Sequence, residues 1–231
     1  MTNFYTSGMY SKINPKWDTE DSYFKYTKIK EIILKNNINF KDICEVGCGA
    51  AEILSQFKNE FKNTNVYGYD IAHGLDKFWK EKKDINLFNS NFLKTNNKKY
   101  DLIIFADVIE HLDSPFDYLD YSRKVSDYIV IYLPLDLSLR SLLNTKLLKK
   151  QIFNVGHINF YTKDIFMNIL RHKNFKVLDC NFNHPFRRKI NQSNLKSIFI
   201  QKLRIFFSLF FSNNFYSLLF GGETITILIK S

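Results

Sequence analysis

The sequence predicts an α/β fold, a seven-stranded mostly parallel sheet with helices on both faces, and three observations carry that prediction. Short apolar or alternating runs recur at seven places along the chain. Stretches with helical periodicity separate most of them, so the order is largely β-α-β-α, which favours parallel pairing with helices covering both faces. Finally, the run ICEVGCGAAEIL at 43–54 passes from an apolar strand through a glycine bend into a helix. Such a bend presents backbone N–H groups to a bound ligand.

Taken in order, strands are expected at 42–46, 65–70, 85–88, 100–105, 127–133, 175–182 and 223–229, with helices at about 19–36, 51–62, 74–82, 115–124, 162–172 and 195–219. Asp18 or Thr19 is suited to cap the first of these helices. No internal repeat is present. A chain of 231 residues with 45% hydrophobic and 24% charged residues suits one domain with a sizeable core. Its expected parts are an N-terminal helical lid (1–36), a ligand-binding core (37–182), a Phe-rich basic insertion or cap (183–221) and a last strand (222–231).

Two parts stand outside the alternating pattern. The first, residues 1–36, carries Trp17, Asp21 and Ser22, candidates to close over a ligand. The second, 183–221, places Ile198, Leu203, Phe206, Phe207 and Phe210 near one helical face, bordered by Lys196, Lys202 and Arg204. From Ile205 through Gly222 there are 18 uncharged residues, but Ser, Asn and Gly among them make a poor membrane span. The segment reads either as an amphipathic cap over the site or as a face lying on an anionic membrane through its Phe side chains and basic border.

The net charge of +10 is uneven, with seven Lys or Arg and a single acid, Glu223, between Cys180 and Ser231. That half attracts phosphate on a small molecule, a nucleic acid or a membrane. Arg187, Arg188 and Lys189 are the residues expected to grip a phosphorylated acceptor. Cys44, Cys48 and Cys180 show no metal-ligand spacing and read as reduced thiols with packing and turn roles. The N-terminus lacks an apolar secretory core, so a cytoplasmic protein is expected, with peripheral contact at the inner membrane face as the variant.

The spacing of the glycine bend limits its ligand. A dinucleotide fingerprint starting at Gly47 and Gly49 needs a third glycine at Glu52, where a carboxylate repels pyrophosphate, and no G-K-[ST] follows for a P-loop. What stands there is acid-x-G-x-G-x-small: Glu45, Gly47, Cys48, Gly49 and Ala51. In this the chain resembles the class I S-adenosylmethionine-dependent methyltransferases. Further stretches match in order: VYGYDIA with Asp70 and Ile71, FNSNFL with Asn91 and Phe92, and YDLIIFADVIEHLDSP with Asp107, Glu110 and His111. VGHINFYTKDIFMNILRHKNFKVLD, with His157, resembles small-molecule members of the ubiquinone-biosynthesis and surface-polysaccharide kind.

The resemblance implies a Rossmann-like sheet with an antiparallel last strand and S-adenosylmethionine as cofactor, converted to S-adenosylhomocysteine. It implies that Glu45 faces the donor's ammonium, Asp70 its ribose hydroxyls, and Asn91 and Phe92 its adenine, with Gly47, Cys48, Gly49, Ile71 and Asp107 completing the cofactor site. His111, and after it His157, are the candidate catalytic bases, each weighed against a bracing or helix-entry role. No metal is expected, since Asp107 and Glu110 read as loop residues of a metal-free motif. His73, His172 and His184 read as surface or packing residues.

A DNA amino-methylating enzyme would show a [DNS]-P-P-aromatic run where this chain has Ala106-Asp107-Val108-Ile109, and no Pro-Cys pair serves cytosine methylation. DNA is therefore excluded and RNA disfavoured. The expected activity is O-methylation of a small anionic or saccharide acceptor, a precursor of a bacterial capsule or lipopolysaccharide. The alternatives are a polyprenyl quinone precursor at the membrane surface and a donor-binding protein without catalysis. Oligomeric state stays open.

Overall fold

The computed structural model describes residues 2–17, 19–187 and 195–231. Asp18, Arg188 and Lys189 of the expectations above lie outside these residues. The chain opens with two short helices, α1 (Thr2–Thr6) and α2 (Met9–Ile13), followed by α3 (Thr19–Lys35). Then come β1 (Asp42–Val46), α4 (Glu52–Glu60), β2 (Asn65–Asp70), α5 (Asp76–Trp79), β3 (Asn86–Asn89), α6 (Phe92–Thr95) and β4 (Tyr100–Ala106). After α7 (Pro115–Val125) and β5 (Ser126–Leu135) lie α8 (Leu139–Leu143), α9 (Lys146–Lys150), α10 (Lys163–His172) and β6 (Lys176–Asn183). The chain ends with α11 (Leu195–Phe207), α12 (Asn213–Phe220) and β7 (Glu223–Lys230).

The seven strands form one sheet in the order β3-β2-β1-β4-β5-β7-β6. All pairs are parallel except those of β7, which runs antiparallel to both β5 and β6. Alternate residues of β4 supply both cores. Leu102 and Ile104 join Ile29, Ile33, Leu54 and Phe57 of α3 and α4 on one face. Ile103 and Phe105 join Leu119 of α7 and Phe166 and Leu170 of α10 on the other. A strand buried on both faces reads as an unbroken apolar run, which is what YDLIIFA shows. The strand order reverses between β1 and β4, and open α/β sheets bind ligands at the carboxyl ends of strands at such a switch point.

Three expectations are corrected. The helix expected over 195–219 is two helices: Ser208 turns its hydroxyl back onto the Ile205 carbonyl (2.7 Å), and Ser212 caps α12 by accepting from Phe215 N–H (3.4 Å). Serines bond their local backbone more readily than they continue a helix. Second, the helix expected over 74–82 is the single turn of α5. Third, the segment 139–155, not assigned from sequence, is helical: Ser138 and Ser141 form a reciprocal capping box at α8, and a π-helical turn at Gln151–Val155 ends on Gly156 (φ +90°).

Phe57 is fully buried, edge-on to Tyr26 (4.9 Å) and Phe40 (6.0 Å), and ties α4 to α3. Phe57→Ala is expected to lower unfolding free energy by about 3–5 kcal/mol in urea denaturation, since a buried ring is lost and a cavity remains.

Candidate functional site

The turn after β1 is built by three consecutive demands on the backbone. Gly47 and Cys48 both donate N–H to the Tyr69 carbonyl (2.7 and 3.1 Å), and Gly49 N–H donates to Asp70 Oδ2 (2.8 Å). To do so Gly47 and Gly49 take φ +73° and +49°. A Cβ on Gly47 would stand 2.5 Å from Val108 Cγ2, so this turn touches the turn after β4 directly. Ala51, fully buried before α4, also sits at φ +58°. Left-handed backbone is thus a second reason for the usual glycine at that position, beside helix–strand packing.

These turns wall a cavity of about 690 Å³ at the carboxyl ends of β1, β2, β4 and β5. That size suits a cofactor or small-molecule site. Glu45, Gly47, Cys48, Gly49, Asp70 and Ile71 line it from β1 and β2. Asn91, Phe92, Asp107, His111 and His157 line it from the other loops, so the residues expected to bind the cofactor and the two candidate bases all line one cavity. The N-terminal segment closes the cavity with Tyr5, Tyr10, Trp17, Asp21, Ser22 and Lys25. The Trp17 ring packs on Gly49, with its Cε3 3.5 Å from where a Cβ would lie. By contrast, no described residue of 195–220 lines the cavity.

Glu45 is 2% exposed and its Oε2 has no hydrogen-bond partner among the described residues. Burial raises its carboxyl well above the usual range, against the pull of nearby Lys25. A buried acceptor without a donor is costly and suits a ligand cation. Asp70 Oδ1 accepts from Ala72 N–H and Oδ2 from Gly49 N–H, both at 2.8 Å, leaving a lone pair on each oxygen for ligand hydroxyls. Burial also raises its pKa, while these N–H groups oppose the rise.

Asn91 is already engaged: its Oδ1 caps α6 by accepting from Leu93 N–H (3.0 Å), and its Nδ2 donates to Tyr118 Oη (3.0 Å). The carbonyl oxygen expected to read an adenine amino group is thus shared with a helix cap. Phe92 is 1% exposed and packs edge-on to Tyr69 and Tyr121, forming the floor of the cavity. Asp107, at φ +53°, pairs with Lys25 (2.6 Å), an ion pair joining the N-terminal segment to the turn after β4. Burial pushes the Cys44 and Cys48 thiols up, which keeps them protonated packing groups.

The two histidines meet because the stretch after Gly156 docks on the β4 turn. Ile158 and Asn159 N–H both donate to the Glu110 carbonyl (2.9 and 3.0 Å), and Asn159 Nδ2 donates to the Leu112 carbonyl (2.8 Å). The rings of His111 and His157 then lie 4.7 Å apart, edge to face. His111 Nδ1 faces the Gly156 carbonyl (3.0 Å) and the Tyr5 hydroxyl (2.8 Å). A carbonyl can only accept, so Nδ1 carries the hydrogen, while Tyr5 O–H donates to the Val155 carbonyl (3.1 Å). Burial and the adjacent His157 lower the His111 pKa to about 4, so the ring is neutral at pH 7.

His157 Nδ1 donates to Asp136 Oδ2 at 2.6 Å, so both rings turn their Nε2 toward Glu110 Oε1, at 3.9 Å from His111 and 4.0 Å from His157. The helix-entry role weighed for His157 falls instead to Thr162, whose hydroxyl accepts from Ile165 N–H (3.2 Å). His184 is half-buried and bonded to the buried Glu223 (3.0 Å), not a surface residue.

Sequence reasoning did not find Tyr5, Lys25, Asp136 or Trp79, whose indole N–H holds the Gly49 carbonyl (2.8 Å). None carries a motif, and each reaches the site from a distant segment.

Comparison with known proteins agrees with this geometry. Residues 21–179 match the family model described as a methyltransferase domain, and the chain belongs to that family. Its fold is that of the class I S-adenosylmethionine-dependent methyltransferases, whose cofactor is S-adenosylmethionine. A curated relative, malonyl-acyl-carrier-protein O-methyltransferase 2 of Ilyobacter polytropus, is 28% identical over 107 residues. That alignment spans 43% of this chain and 41% of the relative. Among solved structures, the plantazolicin methyltransferase BpumL in complex with SAH superposes with TM-score 0.61 at 14% identity, covering 95% of this chain and 89% of that one. A SAM-dependent methyltransferase from Archaeoglobus fulgidus superposes with TM-score 0.54 at 22% identity, covering 89% and 94%.

Gly47→Ala is expected to lower the melting temperature, through both the positive φ and the clash with Val108. In a double-mutant cycle, Val108→Ala should recover only the clash, and a simple sum of the two effects would show that the turns do not press on each other.

Proposed function

We propose that this protein transfers the methyl group of S-adenosylmethionine to an oxygen of a small acceptor, a saccharide or a phosphorylated or nucleotide-linked precursor of a bacterial surface polysaccharide. One observation carries the reading: a single cavity is lined by the glycine turn, by Glu45, whose Oε2 has no hydrogen-bond partner among the described residues, and by His111 and His157.

The bound donor supplies an electrophilic methyl whose sulfur leaves as a neutral thioether. Glu45 holds the donor's ammonium, Asp70 its ribose hydroxyls, and Gly47 and Gly49 let it approach the backbone. Phe92 supports its ring from below, and Asn91, Ile71, Cys48 and Asp107 complete the wall. The acceptor hydroxyl stands at the His111–His157 side, which disposes of its proton as the new C–O bond forms. Tyr10 and Trp17 exclude water, and the protein's main contribution is alignment of the reacting groups.

The acceptor class is supported by the polar wall facing that side. Asp113, Asp117, Gln151 and Tyr5 offer hydrogen bonds to a hydroxyl-rich molecule. Pro185 reaches the same cavity, and Arg187, two residues on and exposed, places positive charge near its rim for a phosphate. On this reading the protein works in the cytoplasm.

A second reading, a lipid-linked acceptor such as a polyprenyl quinone precursor, draws support from α11. Phe199, Leu203 and Phe206 lie within one stripe of α11 and Phe210 in the turn after it, and all are exposed, at 67%, 43%, 53% and 67%. Lys202 flanks the stripe, whereas Arg204, expected on its border, turns inward to Tyr216 Oη (3.1 Å) and the Gly221 carbonyl (2.7 Å). No helix among the described residues is long and apolar enough to cross a membrane.

Thermal shift is expected to show stabilisation by S-adenosylmethionine and S-adenosylhomocysteine and none by NAD, and Asp70→Ala should weaken donor binding by about tenfold or more. Stabilisation by NAD alone would reject the donor assignment. Labelled methyl transfer into a fractionated extract of the source cell should mark a hydroxyl-rich, phosphate-bearing product. Label in RNA would reject that acceptor, and donor binding without transfer to any fraction would favour a non-catalytic role. Phe206→Ser with Phe210→Ser should abolish flotation with anionic liposomes if α11 meets a membrane, and a wild type that does not float rejects the lipid-linked reading.

A further inference from the structure

Among the described residues, Glu110 is the one carboxyl with both oxygens buried and without a hydrogen-bond partner. It is 1% exposed. Burial, with Asp107 close by, raises its carboxyl well above the usual range. Leaving a buried acceptor unpaired costs about 1–3 kcal/mol, more when it is charged.

The groups that face it are two imidazole nitrogens carrying lone pairs. With Nδ1–H of His111 donated to the Gly156 carbonyl and Nδ1–H of His157 donated to Asp136, each Nε2 is left for a further partner. A carboxyl and two imidazole nitrogens therefore converge without a hydrogen bond among them. At 3.9 and 4.0 Å from Glu110 Oε1, the Nε2 atoms are too far for hydrogen bonds. In a tetrahedral site, metal–nitrogen and metal–oxygen bonds of about 2.0–2.2 Å place ligand atoms about 3.3–3.6 Å apart. The three atoms lie within 4.8 Å of one another, so binding an ion would draw them together by about 0.5–1 Å.

From this geometry we propose that Glu110, His111 and His157 form a binding site for a divalent transition-metal cation at the acceptor end of the cavity. Two imidazoles and one carboxylate are a ligand set for Zn²⁺, Mn²⁺ or Fe²⁺ rather than for Mg²⁺ or Ca²⁺, which prefer oxygen. The partners behind the ligands are those metal sites use. A carbonyl orients one imidazole and a carboxylate the other, fixing each tautomer with Nε2 free to coordinate. The surrounding charge also suits a cation, since Asp136 backs His157 and Lys25 is paired with Asp107.

Three protein ligands leave coordination positions open toward the cavity. An acceptor hydroxyl bound there would lose its proton to water more readily, so His111 and His157 would act as ligands in place of bases. The inference of that role rests on the methyl-transfer reading, whereas binding of the ion does not. The sequence pointed elsewhere, to a metal-free motif, because His157 lies 46 residues beyond His111 with nothing in the spacing to join them.

The test uses the full chain after chelation and dialysis, titrated with Mn²⁺ and followed by loss of the free-ion electron paramagnetic resonance signal. One ion per chain is expected, with nitrogen couplings from imidazole in the pulsed spectrum and displacement by Zn²⁺. Glu110→Gln and His157→Ala should each weaken binding by about tenfold or more. If either fails to fold, His111→Gln takes its place. No bound Mn²⁺ at about 1 mM overturns the site, as does binding without nitrogen coupling or binding unchanged in the variants. Thermal shift with S-adenosylhomocysteine on the same samples separates the two readings. Donor binding without the ion removes only the metal site, and ion binding without the donor removes only the methyl-transfer reading.

Discussion

The contact between Gly47 and Val108 is the constraint on which the site depends. With no Cβ at 47, the turn after β1 lies directly on the turn after β4, and the two strands at the sheet's switch point end in one cavity instead of two separate loops. The positive φ at Gly47 and Gly49 then aims N–H groups at Tyr69 O and Asp70, which tie the third loop to the first two. Any side chain at 47 would push the turns apart and lose the arrangement, not merely strain one residue.

A second organisation is laid over this one. The stretch from Gly156 to Asn159 pairs its backbone with the Glu110 carbonyl and so carries His157 to His111. The N-terminal segment adds Tyr5 below His111, Trp17 over Gly49 and Lys25 on Asp107. The donor side is thus made by local turns of consecutive strands, whereas the acceptor side is assembled from three segments far apart in the chain. Buried carboxyl oxygens without hydrogen-bond partners among the described residues sit on both sides, Oε2 of Glu45 on the first and both oxygens of Glu110 on the second, and a bound cation would satisfy them.

Much of the fold was legible because its signals are local. Strands on both sides of the switch point were found to within a few residues from apolar runs, and the glycine spacing distinguished the methyl-donor turn from its pyrophosphate relatives. The misreading of 195–219 as one helix has an equally local cause. Apolar periodicity continues through Ser208 and Ser212, but their hydroxyls bond the backbone and end one helix and start another. The residues 139–155 were missed because their helices are each about one turn long, too short for periodicity to show.

What the sequence by itself determined is therefore the sheet, its switch point and the turn residues that line the cavity beside it, since strand, turn and helix N-terminus follow one another within a few residues. Tertiary structure alone decided that Asp136 holds His157, that Tyr5 and Gly156 orient His111, and that Glu110 stands before both rings without a donor. Those relations join positions up to 106 residues apart. They exist only because folding onto one open sheet brings the loops together at its carboxyl edge, and no periodicity or spacing along the chain encodes which distant loop a given side chain will meet.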